Sequence, residues 1–121
     1  MSDSKELGLQ GENIASSFLE KKGYKIVDRN KRMNRNEIDI IAENEKYIIF
    51  VEVKTRSGDY LEHPLTAVAA SKQKSIIKTA DKYICKYDID KESRFDIITI
   101  IRSADKFEIV HIENAFYPTL R

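Results

Sequence analysis

Asp39-Ile40-Ile41-Ala42, then Glu43-Asn44-Glu45-Lys46, then Tyr47-Ile48-Ile49-Phe50-Val51-Glu52-Val53-Lys54: two apolar, β-branched runs enclose four polar residues, the pattern of a β-hairpin. Strand side chains alternate faces, so Glu52 and Lys54 share a side with Ile48 and Phe50. A turn centred on Asn44-Glu45 sets Asp39 opposite Phe50 and Glu37 opposite Glu52, and opposed residues share a face. The hairpin therefore predicts that Asp39, Glu52 and Lys54 converge on one side of a sheet, joined by Glu37.

Charges buried beside Ile and Phe are costly unless they are paired or bind a metal. Two carboxylates held close repel each other, and a hard divalent cation relieves that repulsion. Oxygen donors without a nearby His or Cys suit Mg²⁺ or Mn²⁺ better than zinc. Asp39 and Glu52 are the expected metal ligands, with the carbonyl of Val53, between two site residues, as a further one. Lys54 is expected to orient a water and offset charge on a phosphate rather than act as a true base. This is equipment for metal-assisted phosphodiester hydrolysis. The bland alternative is that Glu-x-Lys is an ordinary exposed pair on a strand. An Asp in the preceding hydrophobic strand, and the face shared with Phe50 and Ile48, weigh against it.

With 121 residues, 34% of them charged and 41% hydrophobic, a single soluble domain spanning residues 1–121 is expected. No apolar run approaches membrane-spanning length and the start lacks a signal-peptide pattern, so the expected compartment is the cytoplasm. The lone Cys85 falls in a helical apolar pattern and is expected to be a buried thiol. His63 and His111 are too few and too far apart in sequence to suggest zinc. The net charge is only +1, yet residues 21–35 hold seven basic residues against Asp28 alone. Such a block beside an acidic metal site suits a nucleic-acid backbone, and points to Arg29, Arg32 and Arg35. A solvated loop is the plainer reading. Arg56, at the end of the second hairpin strand, is placed for a phosphate or simply for solvent.

Along the chain, residues 1–4 read as a disordered start, with Ser4 an N-cap candidate. Leu7, Gly11, Ile14, Ala15, Phe18 and Lys22 keep helical spacing and predict a helix over 5–22, stopped by Gly23. Glu12 borders its apolar face; physics alone makes it an exposed glutamate. Tyr24 to Asp28 reads as a strand and Asn30 to Arg35 as a polar, basic loop. After the hairpin, a loop rich in Gly, Ser and Asp runs to Pro64 and could close over a ligand. Pro64 opens a helix running to about Lys86, with Lys72 near its apolar side. Arg94 to Ile101 is almost continuously apolar, as in a central strand covered on both faces. Asp96 within it reads as structural. Phe107 to Ile112 alternates like an edge strand, and Ala115-Phe116-Tyr117 is expected to pack on the core or a partner. The order helix, three strands, helix, two strands predicts an α/β sandwich with a mixed five-stranded sheet, since a helical crossover favours a parallel neighbour.

Asn36-Glu37-Ile38-Asp39-Ile40-Ile41-Ala42 followed by Phe50-Val51-Glu52-Val53-Lys54-Thr55-Arg56 resembles the PD-(D/E)XK nuclease signature. More narrowly it resembles the YraN family of uncharacterised bacterial proteins, which are similar to archaeal Holliday-junction resolvases. The match extends to Gly11-Glu12-Asn13-Ile14-Ala15, Gly23-Tyr24, Arg29-Asn30, Lys72-Gln73 and Arg94-Phe95-Asp96, nearly the whole chain in order. Asn36 stands where the family usually has Gly, and Asn tolerates a tight turn better than most residues. The resemblance implies a restriction-endonuclease-like fold and a DNA endonuclease using Mg²⁺ or Mn²⁺, with no small-molecule cofactor. It implies catalytic roles for Glu12, Asp39, Glu52 and Lys54, with Glu12 a third acidic ligand. It brings Lys72 and Gln73 to the site, Gln73 to bind a phosphate or water and Lys72 to touch nucleic acid. It also implies branched DNA as substrate and a homodimer setting two sites across a junction. The alternatives are a nucleic-acid-binding module that keeps the fold with little or no cutting, and an interaction protein whose acidic cluster is incidental.

Overall fold

The hairpin is present, and the sheet is built outward from it. The computed structural model describes residues 3–33, 35–57 and 68–118, without the side chains of 3–5. The elements are α1 (Asp3–Lys21), β1 (Lys25–Met33), β2 (Asn36–Glu43), β3 (Tyr47–Ser57), α2 (Ala70–Lys86), β4 (Glu92–Ser103) and β5 (Lys106–Phe116). The five strands form one sheet in the order β1-β2-β3-β4-β5. β3 and β4 are parallel, joined by the crossover that contains α2, and every other neighbouring pair is antiparallel. This is the expected mixed α/β sandwich, compatible with a restriction-endonuclease-like arrangement.

Isoleucine doublets feed both faces at once. Ile40, Ile49 and Ile98 pack with Ala15 and Leu19 of α1, and Ile41, Ile48 and Ile97 pack with Ile76, Ala80 and Tyr83 of α2. Each fully buried Ile contributes roughly 1.5–3 kcal/mol, so the two-faced core holds the layers together. Gly23, at φ +96°, ends α1 as expected: Tyr24 N–H reaches back to the Leu19 carbonyl at 3.0 Å, a left-handed C-terminal cap. Phe116 is buried and stacks on Phe95, which gives the C-terminal aromatic its expected packing role.

Several expectations are corrected. The hairpin register differs by two residues: Phe50 faces Ile41, not Asp39, and Glu37 faces Arg32 of β1, not Glu52. The cause is Asn44, whose side-chain oxygen accepts the N–H groups of Lys46 (2.9 Å) and Tyr47 (2.7 Å), moving the turn one residue on. A shift of two preserves face parity. The basic segment is not a loop: Arg29, Lys31 and Arg32 lie in β1, an edge strand paired with β2, and Arg35 precedes β2. Asp3 and Ser4 are already helical, so Ser4 lies within α1 rather than at its N-cap position. Cys85 is exposed on α2 rather than buried. The second helix begins at Ala70, after an extended Ala69, and does not run through Val68 and Ala69 from Pro64 as expected. Pro64 itself, His63 and the loop from Gly58 lie outside the described residues.

Asp96 is structural, as read from the sequence. It is fully buried, and receives Arg94 through two hydrogen bonds (3.0 and 2.8 Å), His111 Nε2 (2.8 Å) and the Asn114 N–H (3.0 Å). Burial alone would raise its carboxyl; these donors outweigh it and hold the group below its ordinary value. Arg94 also donates to Tyr24 at 2.8 Å, tying β4 to the start of β1.

Candidate active site

The β2–β3 ladder runs from Glu43↔Ile48 to Ile40↔Val51, while β3 continues beside β4 to Ser57↔Arg102 and β2 stays with β1 to Asn36. The two central strands thus part just where Asp39 and Glu52 stand. The opening is a cleft of about 400 Å³, lined by Leu7, Gly8, Glu12, Asp39, Glu52, Val53, Lys54, Thr55 and Arg56. Five of the sequence-predicted site residues besides Arg56 are therefore gathered in one place: Glu12, Asp39, Glu52, Val53 and Lys54.

Asp39 bridges the gap between the strands. Its Oδ2 accepts the Val53 N–H at 2.8 Å. Val53, whose carbonyl is the expected metal ligand, offers its N–H here, which fixes Asp39. Glu52 is 5% exposed. Lys54 Nζ lies 3.5 Å and Lys72 Nζ 4.0 Å from Glu52 Oε2. Burial, and then Asp39 beside it, push the Glu52 carboxyl up to about 7, with Lys72 and Lys54 pulling the other way. Burial likewise raises Asp39, opposed by the Val53 hydrogen bond and by Lys72. The buried Glu52 is thus burdened by the half-buried Asp39 beside it, and Lys72 and Lys54 offset the charge of both.

Glu12 reaches the site through a close approach of α1 to β3. Gly11 is buried, and a Cβ there would collide with the Thr55 hydroxyl. Without a side chain at Gly11 the helix rests on Thr55, and the next residue is delivered to the cleft. Glu12 is not the exposed residue that physics alone suggested; its side chain is 18% exposed. Its carboxyl is raised by burial and by Asp39, against a hydrogen bond from Asn30 and the charge of Arg29. Arg29 Nη2 stands 3.9 Å from Glu12 Oε1.

The other expected residues are distributed as follows. Lys72, expected on nucleic acid, lies over Glu52. Gln73, expected at the site, donates instead to the Val68 carbonyl at 3.1 Å, where it ties down the chain entering α2. Arg56 donates to the Thr55 carbonyl at 3.0 Å. Arg32 and Arg35 are exposed, away from the cleft lining. Asn30 was missed as a partner of Glu12. Its left-handed φ of +51° is one that Asn tolerates, but no spacing pattern announces it.

Among the described residues, no group of three or more His, Cys, Asp or Glu side chains is gathered closely enough to hold a metal ion. The expected three-carboxylate shell is therefore not assembled as it stands: Asp39 and Glu52 meet, and Glu12 is drawn toward Arg29 and Asn30. The donor chemistry nevertheless fits a hard cation. Asp39 raises the proton affinity of the buried Glu52 beside it, and a divalent ion relieves such a pair more fully than flexible lysines do. No helix among the described residues is long and apolar enough to cross a membrane.

A family model for the uncharacterised protein family UPF0102 matches residues 11–100, which include every cleft residue from Glu12 onward. A UPF0102 protein of Bacteroides thetaiotaomicron is 45% identical over 120 residues, covering 99% of each chain. One of Prosthecochloris aestuarii is also 45% identical, covering 93% of this chain and 94% of its own. One of Chlorobium phaeobacteroides is 47% identical over 92% of this chain and 94% of its own. With likeness running over nearly its full length, the chain belongs to the uncharacterised protein family UPF0102.

Proposed function

We propose that this protein is a metal-dependent endonuclease that hydrolyses DNA phosphodiesters. The observation that carries the reading is the pairing of half-buried Asp39 with buried Glu52, flanked by two ammonium groups, in the cleft where β2 and β3 part. Asp39 and Glu52 would hold Mg²⁺ or Mn²⁺, with Glu12 and the Val53 carbonyl as further ligands. The ion, when bound, acidifies a water and offsets charge on the phosphate. Val53 N–H keeps Asp39 aimed into the cleft. Lys54 orients the attacking water and balances charge as the phosphorus gains an oxygen. Lys72 supplies a second positive charge beside Glu52. Arg56 lines the cleft and Arg29 stands beside Glu12; both guanidinium groups are suited to phosphate oxygens.

Branched DNA and a paired assembly belong to this proposal through the resemblance to resolvases, an analogy from fold to function. The test is a Mg²⁺ and Mn²⁺ cleavage panel over linear, flapped and four-way DNA. Asp39→Ala and Glu52→Ala should each abolish divalent-dependent cleavage while circular dichroism shows an intact fold. Unchanged cleavage in either variant removes that residue from the mechanism. A second reading is favoured by one observation, that Glu12 stands off from the other two carboxylates. In it the protein binds DNA without cutting. Salt-sensitive binding with no metal-dependent product on any substrate would establish that alternative.

A further inference from the structure

The Arg29 guanidinium is poorly served where it stands. Its Nε and Nη2 are buried and neither has a hydrogen-bond partner. Nη2 faces Glu12 Oε1 at 3.9 Å, too long for a hydrogen bond but close enough for a strong charge attraction. Leaving two donors of a charged, forked group without acceptors is costly, and that cost persists unless another acceptor is meant to fill the place. Glu12 in turn is the one carboxylate that stands off from Asp39 and Glu52, and it is Arg29 and Asn30 that attract it.

We infer that Glu12 and Arg29 form an exchange pair: the carboxylate suited to complete a cation shell is parked on the guanidinium suited to grip a phosphodiester, so each ligand frees the group that the other needs. When Glu12 swings toward Asp39, the space before Arg29 Nε and Nη2 opens, and the planar fork takes two non-bridging phosphate oxygens. When a phosphate takes Arg29, Glu12 is released to the cation. Binding of divalent ion and of DNA backbone is thereby positively coupled, and by linkage the coupling is reciprocal. This rests on the metal-dependent reading above, but concerns binding and not turnover.

The test measures the affinity of a short fluorescein-labelled duplex by anisotropy, in Ca²⁺ and in EDTA at fixed ionic strength, with Mn²⁺ affinity followed by calorimetry. Ordinary coupling between sites is about 5–150-fold, so the wild-type protein should bind duplex at least about fivefold tighter with the cation. Arg29→Gln should lose most of that gain. Arg29→Lys, which keeps the charge but not the fork, should also fall below wild type, and it stands in if the Gln variant is unstable. Glu12→Gln should tighten metal-free duplex binding, and this effect should vanish in the Glu12→Gln/Arg29→Gln double variant. Additive single effects in that cycle, or a full cation-dependent gain in both Arg29 variants, would overturn the exchange. If DNA is cleaved but the cycle is additive, only this inference falls. If wild type takes up neither Mn²⁺ nor duplex, the nuclease reading falls with it.

Discussion

Glu52 holds an uncomfortable position, buried beside a second carboxylate, and its proton reports on it. Burial and the neighbouring Asp39 push its carboxyl up to about 7 from an ordinary 4.5. Between those values the folded protein keeps a proton that the unfolded chain has released. The folded state then binds more protons, so stability falls as pH rises through that window. The loss is at most roughly 3 kcal/mol, at about 1.36 kcal/mol for each unit of displacement. In EDTA, urea midpoints measured at about pH 5 and about pH 8 should fall with pH for the wild-type protein. Glu52→Gln should flatten that fall and exceed wild type at the higher pH. A wild-type stability that is level, or rises, over that range would show that Glu52 is not held protonated by its surroundings.

At the scale of elements, the contact of α1 with β3 decides where Glu12 lies. Gly11→Ala gains helix propensity of about 1 kcal/mol, but forces a methyl into the Thr55 hydroxyl, and overpacking of this kind costs about 1–3 kcal/mol. A net loss in thermal stability is expected, recovered in the Gly11→Ala/Thr55→Ala double variant. If the single variant is as stable as wild type, the close approach is not required. Much at this scale was legible beforehand. Isoleucine doublets announce strands covered on both faces, and Gly23 announces the end of α1. The pattern at Asp39, Glu52 and Lys54 survived the two-residue register shift because face parity repeats every two residues. What stayed hidden depends on distant partners. Asn30 to Arg32, expected as part of a loop running to Arg35, read so because an edge strand leaves polar residues in water, and only pairing with β2 makes them a strand. Asn44 fixed the register through two backbone hydrogen bonds that alternation does not encode. Cys85 shares the helical spacing of its apolar neighbours, yet lies beyond the stripe formed by Ile76, Thr79, Ala80 and Tyr83. The approach of Lys72 to Glu52, and of Arg29 to Glu12, joins segments far apart in the chain, and no local pattern records either.

At the scale of the whole molecule, the Asp96 cluster and the cleft divide stability from chemistry. Asp96 and Arg94 are 0% and 8% exposed, and breaking a buried pair by neutralising one partner costs about 3–5 kcal/mol. Asp96→Asn should lower the urea-derived stability by that order. A loss below about 1 kcal/mol would mean that the network is not a stabilising one. The parallel junction has a further consequence, for the order of assembly. β1 to β3 close through short turns, as do β4 and β5, but β3 and β4 join residues about 45 positions apart, as in Tyr47↔Glu92. Closing that long loop is the step whose entropy is recovered last. Ile41→Val and Ile49→Val, in the first three strands, should slow refolding in stopped-flow mixing, whereas Ile76→Val on the crossover helix should chiefly hasten unfolding. The reverse pattern would mean that the helix nucleates the fold. On the expected route, the nascent chain commits two acids to one another before Lys72, the second of the two lysines that ease them, has arrived.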